Sequence, residues 1–451
     1  MLKLRRNLFT EYVSLMSRAF CNLTNLGSVY LKKKLTLLAT LLLILVFALT
    51  SCSGGSSDDE TQNGAPPLNI HNGGTNNENA TDTSSTDSNH GGISNGSAIV
   101  QDPVQTPEPT RQPFASPTPY PGPMALFTGQ IYHVFYHSLA SFPEIAFSNS
   151  FGANLDHDTI TPREFWRSLE ELYRNNYVLI NIDQAVGVDA DGIAYRRRLY
   201  LPIGKKPLVM SFDDINFYTR NIGRGIADRV ILTADGELAM ETRMPDGSIN
   251  ISFDNCVIPL LEEFIAQHPN FSPFGVRGML ALTGFDGVLG YRTHIRYANR
   301  DAEIAAVAPI VEELLARGWY FASHGYGHIH KNRVSLERFR EDTDQWIRYV
   351  APILGETNMF VFPYGEHTFH WRDGVGNCPK FLYLIERGYR IFCGVGIPTF
   401  NRFSDGIFFM DRANIDGFSL RNHGERLAHL MDVNNVYYPP ERLWGQLPVT
   451  W

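Results

Sequence analysis

Cysteine is scarce in this chain, with five in 451 residues, and positive charge is in deficit, with 39 Lys and Arg against 47 Asp and Glu. Cys21 and Cys52 fall in an N-terminal leader, which leaves Cys256, Cys378 and Cys393. Three thiols permit at most one disulfide, with free buried thiols as the alternative, and their spacing matches no metal motif. The net charge is −8; the first 51 residues hold seven basic residues against one acidic, so subtracting their +6 leaves −14 for the remainder. That balance argues against a nucleic-acid partner. Core-building side chains are also in short supply between Ser53 and about Pro123, where Ser, Gly, Asn, Thr and Asp give way to Pro and Thr near Thr106-Pro107-Glu108-Pro109-Thr110. Such a segment cannot bury enough apolar surface to fold, so residues 52–123 are expected to form a disordered tether. It could stretch to about 240 Å, with a coil average on the order of 50 Å.

The leader, residues 1–51, has the parts of a secretion signal: Lys32-Lys33-Lys34, an apolar run from Leu35 to Thr50, then small residues. The run is short of the roughly 20 residues of a stable membrane span. Leu49-Thr50-Ser51-Cys52 resembles a bacterial lipobox, which implies diacylglycerol on Cys52 and cleavage just before it. An uncleaved membrane anchor is the alternative. Either way the body of the protein is expected outside the cytoplasmic membrane and tied to it. Met1 to Tyr30 fit no part of this signal, so translation is expected to begin near residue 31. Recovery of a peptide from Met1–Tyr30 would count against that.

Beyond Pro123, in residues 124–451, short β-rich runs alternate with amphipathic helices, the pattern of an α/β fold with a mainly parallel sheet. The expected strands are 131–136, 178–182, 207–212, 276–282, 319–322, 359–362, 389–393 and 407–410. The expected helices are 161–175, 256–267, 304–318, 335–353 and 380–387. His137, Asp213, Asp214, His324, Tyr364 and Arg412 each fall just after an expected strand, and strand C-termini are where (β/α) barrels assemble their sites. An insertion at 219–253 carries two hairpin signals, Asp235-Gly236 and Asp246-Gly247, and is expected above the barrel mouth.

Two pieces of sequence carry the chemistry. Ser211-Phe212-Asp213-Asp214 ends an apolar run and supplies one carboxylate for a metal and one to move a proton; Ser323-His324-Gly325-Tyr326-Gly327-His328 supplies two imidazoles. Histidines four apart would share one face of a helical turn, about 5–6 Å apart at Cβ, so both rings could reach one ion. Each piece alone has a plain alternative: an Asp pair after a strand also caps helices or makes turns, and a surface His-x-x-x-His is commonly solvated.

With these two pieces and Phe362-Pro363-Tyr364-Gly365 in order, residues 125–420 resemble the polysaccharide deacetylases, carbohydrate esterase family four. Thr161-Pro162-Arg163-Glu164-Phe165 adds to the likeness. The resemblance implies a distorted (β/α)₇ barrel that removes N- or O-acetyl groups from glycans, with Asp213 as general base and Asp214, His324 and His328 holding a divalent metal. It also places Tyr364 and Gly365 along the substrate groove, with the Tyr364 N–H toward the oxyanion. Tyr136-His137-Ser138 is similar to the opening of the permuted exported poly-N-acetylglucosamine deacetylases, which makes His137 the candidate acid. Two positions depart from the family: Val361 stands where an arginine often braces the base, a role Arg412 could take over, and Ile215 stands where Gly usually follows the Asp pair.

One carboxylate and two imidazoles accept zinc first, and cobalt, nickel or manganese as well. His330, His367 and His370 match no motif, and His133 is either a packed core histidine or support behind the site. The expected partners are an acetylated polysaccharide and, through the lipid, a membrane; a monomer is expected. The rival reading is a retired deacetylase scaffold that binds glycan as a surface lipoprotein, and a third is an amidase or esterase for a non-glycan acyl group.

Overall fold

The computed structural model describes residues 120–367, 377–397 and 399–442. The chain divides into two units, Met1–Val100 and Gln101–Trp451, and everything described belongs to the second. The leader, Cys52, the tether up to residue 119 and His370 lie outside the described residues. Among the described residues no helix is long and apolar enough to cross a membrane.

Seven parallel strands close into a barrel: β1 (Tyr132–Tyr136), β2 (Lys206–Asp213), β3 (Met279–Leu282), β4 (Tyr320–Ser323), β5 (Met359–Val361), β6 (Ile391–Val395) and β7 (Ile407–Asn414). Each pairs with the next in chain order, and β7 returns to β1. The ring is distorted at β2, whose start pairs with an extra strand at Tyr177–Leu179 while its end pairs with β3. Helices α1 (Pro162–Arg174), α2 (Val257–Gln267), α3 (Arg300–Ala316), α4 (Leu336–Tyr349) and α5 (Pro379–Glu386) connect the first six strands in turn. From β6 to β7 the described residues hold no such helix; Asn401–Ser404 instead turns back antiparallel to β7.

Alternation along each strand sets the layers. Leu208, Met210 and Phe212 of β2 point outward and pack with Phe165, Leu169 and Leu172 of α1, whereas Val209 packs inside with Met279, Ala281, Ile391 and Met410. By the same parity the inner face continues to Ser211 and Asp213 on β2, His133 and Phe135 on β1, and Arg412 and Asn414 on β7. On β2 and β7, polar residues thus replace apolar ones as the inward row climbs toward the C-terminal rim. Helix α1 is anchored by a capping box: the Glu164 N–H donates to Thr161 Oγ1 at 3.2 Å and the Thr161 N–H to Glu164 Oε2 at 3.0 Å, with Pro162 in the first turn. Such a cap stabilises a helix by about 1 kcal/mol.

Three details differ from the sequence expectations. The expected helix 335–353 breaks at Val350 into α4 and a short helix Ala351–Leu354, because Pro352 lacks the N–H that a continuous helix would bond to the Arg348 carbonyl and sits instead in the first turn of a new one. Strand β7 runs on to Asn414, so Arg412 lies within it rather than after it. The 219–253 insertion divides: Arg220, Asn221 and Ile226 line the cleft at the mouth, as expected, but its three strands do not roof it. Its strands Arg229–Leu232, Leu238–Arg243 and Ile249–Ser252 form an antiparallel sheet that buries Val230, Leu238 and Met240 in the outer core. The hairpin tip is held at the far end of α3 by Arg317, which bonds Glu237 Oε2 and the Gly236 carbonyl, both at 3.1 Å. An apolar stripe this continuous is stabilised more by covering the barrel flank than by facing solvent. Among the described residues, Cys256, Cys378 and Cys393 are buried and none is in a disulfide.

Candidate active site

Asp213 is the last residue of β2, and Asp214 begins the turn above it with a left-handed backbone, φ 59°. The Asp214 N–H donates to the Ala281 carbonyl at 3.2 Å. Ile215 is fully buried, and Asn216 ties the loop to β3, donating to the Thr283 carbonyl at 2.8 Å and accepting from its N–H at 3.2 Å. The missing glycine at 215 is therefore accommodated by a side chain turned into the core. One oxygen of Asp214, Oδ1, accepts from the Tyr218 hydroxyl. The other, Oδ2, faces His328 Nε2 at 3.3 Å.

The two histidines do not share a helix. His324 follows the end of β4, and His328 lies in a loop with φ 49°, yet their ring centroids are 5.0 Å apart. A helix at this point would carry His328 away from the barrel axis; the loop instead turns over the rim. It is clamped from below by Asp342 of α4, a fully buried residue that accepts from the N–H groups of Gly327 at 2.7 Å and Tyr326 at 3.2 Å and from Lys331 Nζ at 2.6 Å. Gly325 (φ 72°) has no room for a Cβ, which would lie 2.8 Å from Asp342 Oδ2. His324 Nδ1 lies 3.0 Å from the Val361 carbonyl, so it is Nδ1 that carries the proton and Nε2 that is left as a lone pair. Burial lowers the His324 pKa to about 4, so the ring stays neutral at physiological pH.

Asp214, His324 and His328 offer three ligand atoms within 4.8 Å of one another. Ligands held about 2.0–2.2 Å from one tetrahedral ion sit roughly 3.3 Å apart, so the group fits a single divalent ion with only small adjustment. Left-handed backbones at Asp214, His328 and Tyr364 converge on this spot. Each such conformation costs on the order of 1 kcal/mol or more in a residue with a Cβ, and clusters of them mark functional sites.

Asp213 stands apart from the three. Its carboxylate is gripped by Arg412 in a two-pronged pair, Nη1 to Oδ1 at 2.7 Å and Nη2 to Oδ2 at 2.9 Å, and lies 4.0 Å from His324 Nε2. Arg412 is fully buried, covers the Phe135 ring, and also donates to the Gly394 carbonyl and to Ser211 Oγ. Burial alone would raise the Asp213 pKa, but the opposing charge of Arg412, with His324 after it, holds the carboxyl well below the usual carboxylate range. Under this pair, His133 Nε2 meets Ser211 Oγ at 2.9 Å. Burial, then Arg412, keeps that imidazole neutral. His133 is therefore a core residue that supports the inner row from beneath.

His137, Asp213, Asp214, His324, His328, Tyr364, Gly365 and Arg412 all line one cleft of about 670 Å³ at the C-terminal rim. Phe212 of β2 is in register with Tyr136 of β1, so Asp213 and His137 are level on adjacent strands. His137 Nδ1 is buried, and among the described residues nothing bonds to it. Tyr364 (φ 58°) is half exposed and stacks on His330 at 3.8 Å, while Glu366 holds His330 Nδ1 at 3.0 Å. The Gly365 N–H is spent on the Phe362 carbonyl, 3.0 Å away. His429 packs against Tyr132 at the opposite end of β1, away from the cleft. Nothing in the sequence singled out Tyr218 or Asp342, each of an ordinary type for a surface or cap; Tyr218, four residues after Asp214, is the one that spacing could have flagged.

No family model matches the chain, and no curated protein matches it. Among solved structures it is similar to the Streptococcus pyogenes deacetylase PplD in complex with acetate, at 13% identity and TM-score 0.37 over 67% of this chain and 97% of that one. It is also similar to BC0361, a polysaccharide deacetylase from Bacillus cereus, at 11% identity and TM-score 0.36 over 68% and 69%. A third is the chitin deacetylase from the fungal pathogen Colletotrichum lindemuthianum, at 13% identity and TM-score 0.21 over 39% and 75%. Overlays this partial carry no activity across, and the barrel stands on its own strand pairing.

Proposed function

We propose that this protein is a metal-dependent hydrolase that removes acetyl groups from an N-acetylated glycan of the cell surface or wall, held outside the cytoplasmic membrane by lipid on Cys52. The observation that carries the reading is the division of labour at the rim: a three-ligand cluster of Asp214, His324 and His328, beside a separate carboxylate, Asp213, that Arg412 keeps ionised. Three protein ligands leave positions for water and substrate, the arrangement of a catalytic rather than a structural site. A divalent ion held there, zinc first among the candidates, supplies Lewis-acid polarisation of the acyl oxygen and a water of lowered pKa. Asp213 takes the proton of the attacking water. His137, level with it on β1, returns a proton to the departing amine nitrogen. The Tyr364 N–H, presented by its left-handed turn, is offered to the oxygen that gains charge. Val361 does not speak for a retired scaffold, because Arg412 already fills the bracing role from another strand.

Acetate release from a panel of N-acetylated glycans, with and without a chelator, tests the reading. Release that chelation abolishes and zinc restores is expected. Glycan binding without acetate release by metal-loaded protein would instead favour the retired scaffold. His137→Ala should lower amide turnover by about 10² to 10⁴, the usual worth of general acid help. An activated phenolic acetate, whose leaving group needs little protonation, should suffer far less. Equal losses on both substrates would move the acid elsewhere, with His423 the next position to test. For the anchor, Cys52→Ala should release the protein from the membrane fraction, and unchanged membrane retention and processing would remove the lipid assignment.

A further inference from the structure

Asn414 is the last residue of β7 and faces the same cleft as His137 and Asp213. It is in register with Phe135 of β1, one inward step below His137. Its Nδ2 donates to Asp416 Oδ2 at 2.5 Å, and Asp416 is itself fixed, with Oδ1 accepting from the Ser419 N–H at 2.7 Å as the cap of the helix Gly417–Asn422. A carboxylate only accepts, so Asn414 must turn its NH₂ toward Asp416 and cannot flip. Its Oδ1 is thereby aimed away from Asp416; it is buried, and among the described residues nothing donates to it. A buried amide oxygen without a donor is costly, and a substrate N–H would relieve that cost.

We infer that Asn414 Oδ1 accepts the N–H of the acetamido group and thereby selects N-acetyl over O-acetyl substrates. This rests on the hydrolase reading above and deepens it. The amide nitrogen carries one hydrogen, held by Asn414, and His137 stands one inward step higher on the neighbouring strand, within the same cleft as the nitrogen whose lone pair develops as the C–N bond breaks. An acetyl ester has an oxygen at this position and no hydrogen, so two acceptors would face each other. Sites built to hydrogen-bond a substrate N–H discriminate strongly against analogues that lack it. Asp416 is the positioning residue, since it fixes which end of the Asn414 amide is presented.

The test compares kcat/KM of the full-length protein on an N-acetylated sugar oligomer and on the same oligomer with acetyl esters. Asn414→Leu should lower the N-acetyl value by roughly 10- to 100-fold, the range for one buried group losing its partner, with a loss on the ester at least about tenfold smaller. Asp416→Asn, which keeps the side-chain volume but lets the Asn414 amide turn, should move the ratio part of the way. Equal losses on both substrates, or an unchanged ratio in a variant that melts like wild type, would overturn the inference. A wild-type protein that releases acetate from neither substrate would sink the hydrolase reading, and binding then decides this one. Titration with an N-acetylglucosamine oligomer should show the same 10- to 100-fold weakening in Asn414→Leu, and unchanged affinity would overturn the role of Asn414 as well.

Discussion

Asp213→Asn should lower acetate release by about 10² to 10⁴ while leaving metal content at the wild-type level, and the opposite pattern is expected one residue later. Asp214→Ala, like His324→Ala and His328→Ala, removes one of the three converging ligand atoms and should lower metal occupancy along with turnover. The contrast between neighbours follows from the backbone. Asp213 ends β2 with its carboxylate turned inward onto Arg412, whereas the left-handed turn at Asp214 swings the next carboxylate up to His328. Elemental analysis of the four variants, run beside the turnover assay, decides the matter. Full occupancy in His324→Ala, or metal loss in Asp213→Asn, would undo the division between ligand and base.

Much of this arrangement could be read from residue order, and the part that could not has identifiable causes. The seven barrel strands and their helices show in the alternation of apolar runs, since a strand buried on both faces, such as Leu208–Phe212, leaves few other options. Asp213, Asp214, His324 and His328 stand out because two carboxylates and two imidazoles at or just beyond strand ends are the side chains that a ligand set with a separate base would use. Contact at long range is harder to read. Arg412 meets Asp213 across 199 residues; Val361 points to Arg412 as the brace, and the closed barrel, in which β7 and β2 both neighbour β1, brings the two together. The His-x-x-x-His spacing suggests a helix, but Gly325 and the Asp342 clamp turn the segment over the rim, and the clamp arrives from a helix a dozen residues on. For the insertion, the Asp-Gly turns mark hairpins correctly but carry no information about which side of the barrel the sheet covers. Asn414 hides most completely, since its role depends on the direction of one amide.

Arg412→Met should destabilise the fold by about 3–5 kcal/mol, the cost of leaving a buried charge without its partner. Asp213 is buried, and the positive charge of Arg412 does most to offset that burial. The sign of the pH dependence follows. In the wild type the Asp213 pKa lies below the unfolded value, so its contribution to stability is present at neutral pH and is lost as pH falls through the ordinary carboxylate range toward the folded pKa. In Arg412→Met, burial is no longer opposed by that charge and the carboxyl pKa should rise, which reverses the sign: the protonated form is favoured, and stability declines as pH climbs through the ordinary carboxylate range. Urea denaturation should therefore show the gap between the two proteins narrowing at acid pH. Removing both charges separates an uncompensated carboxylate from simple loss of packing. Asp213→Asn combined with Arg412→Met should be more stable than Arg412→Met alone, because a pair replaced on both sides leaves no charge stranded. If the double variant loses as much as the sum of the two singles, the arginine acts mainly by filling space above Phe135, and the low pKa of Asp213 has another source.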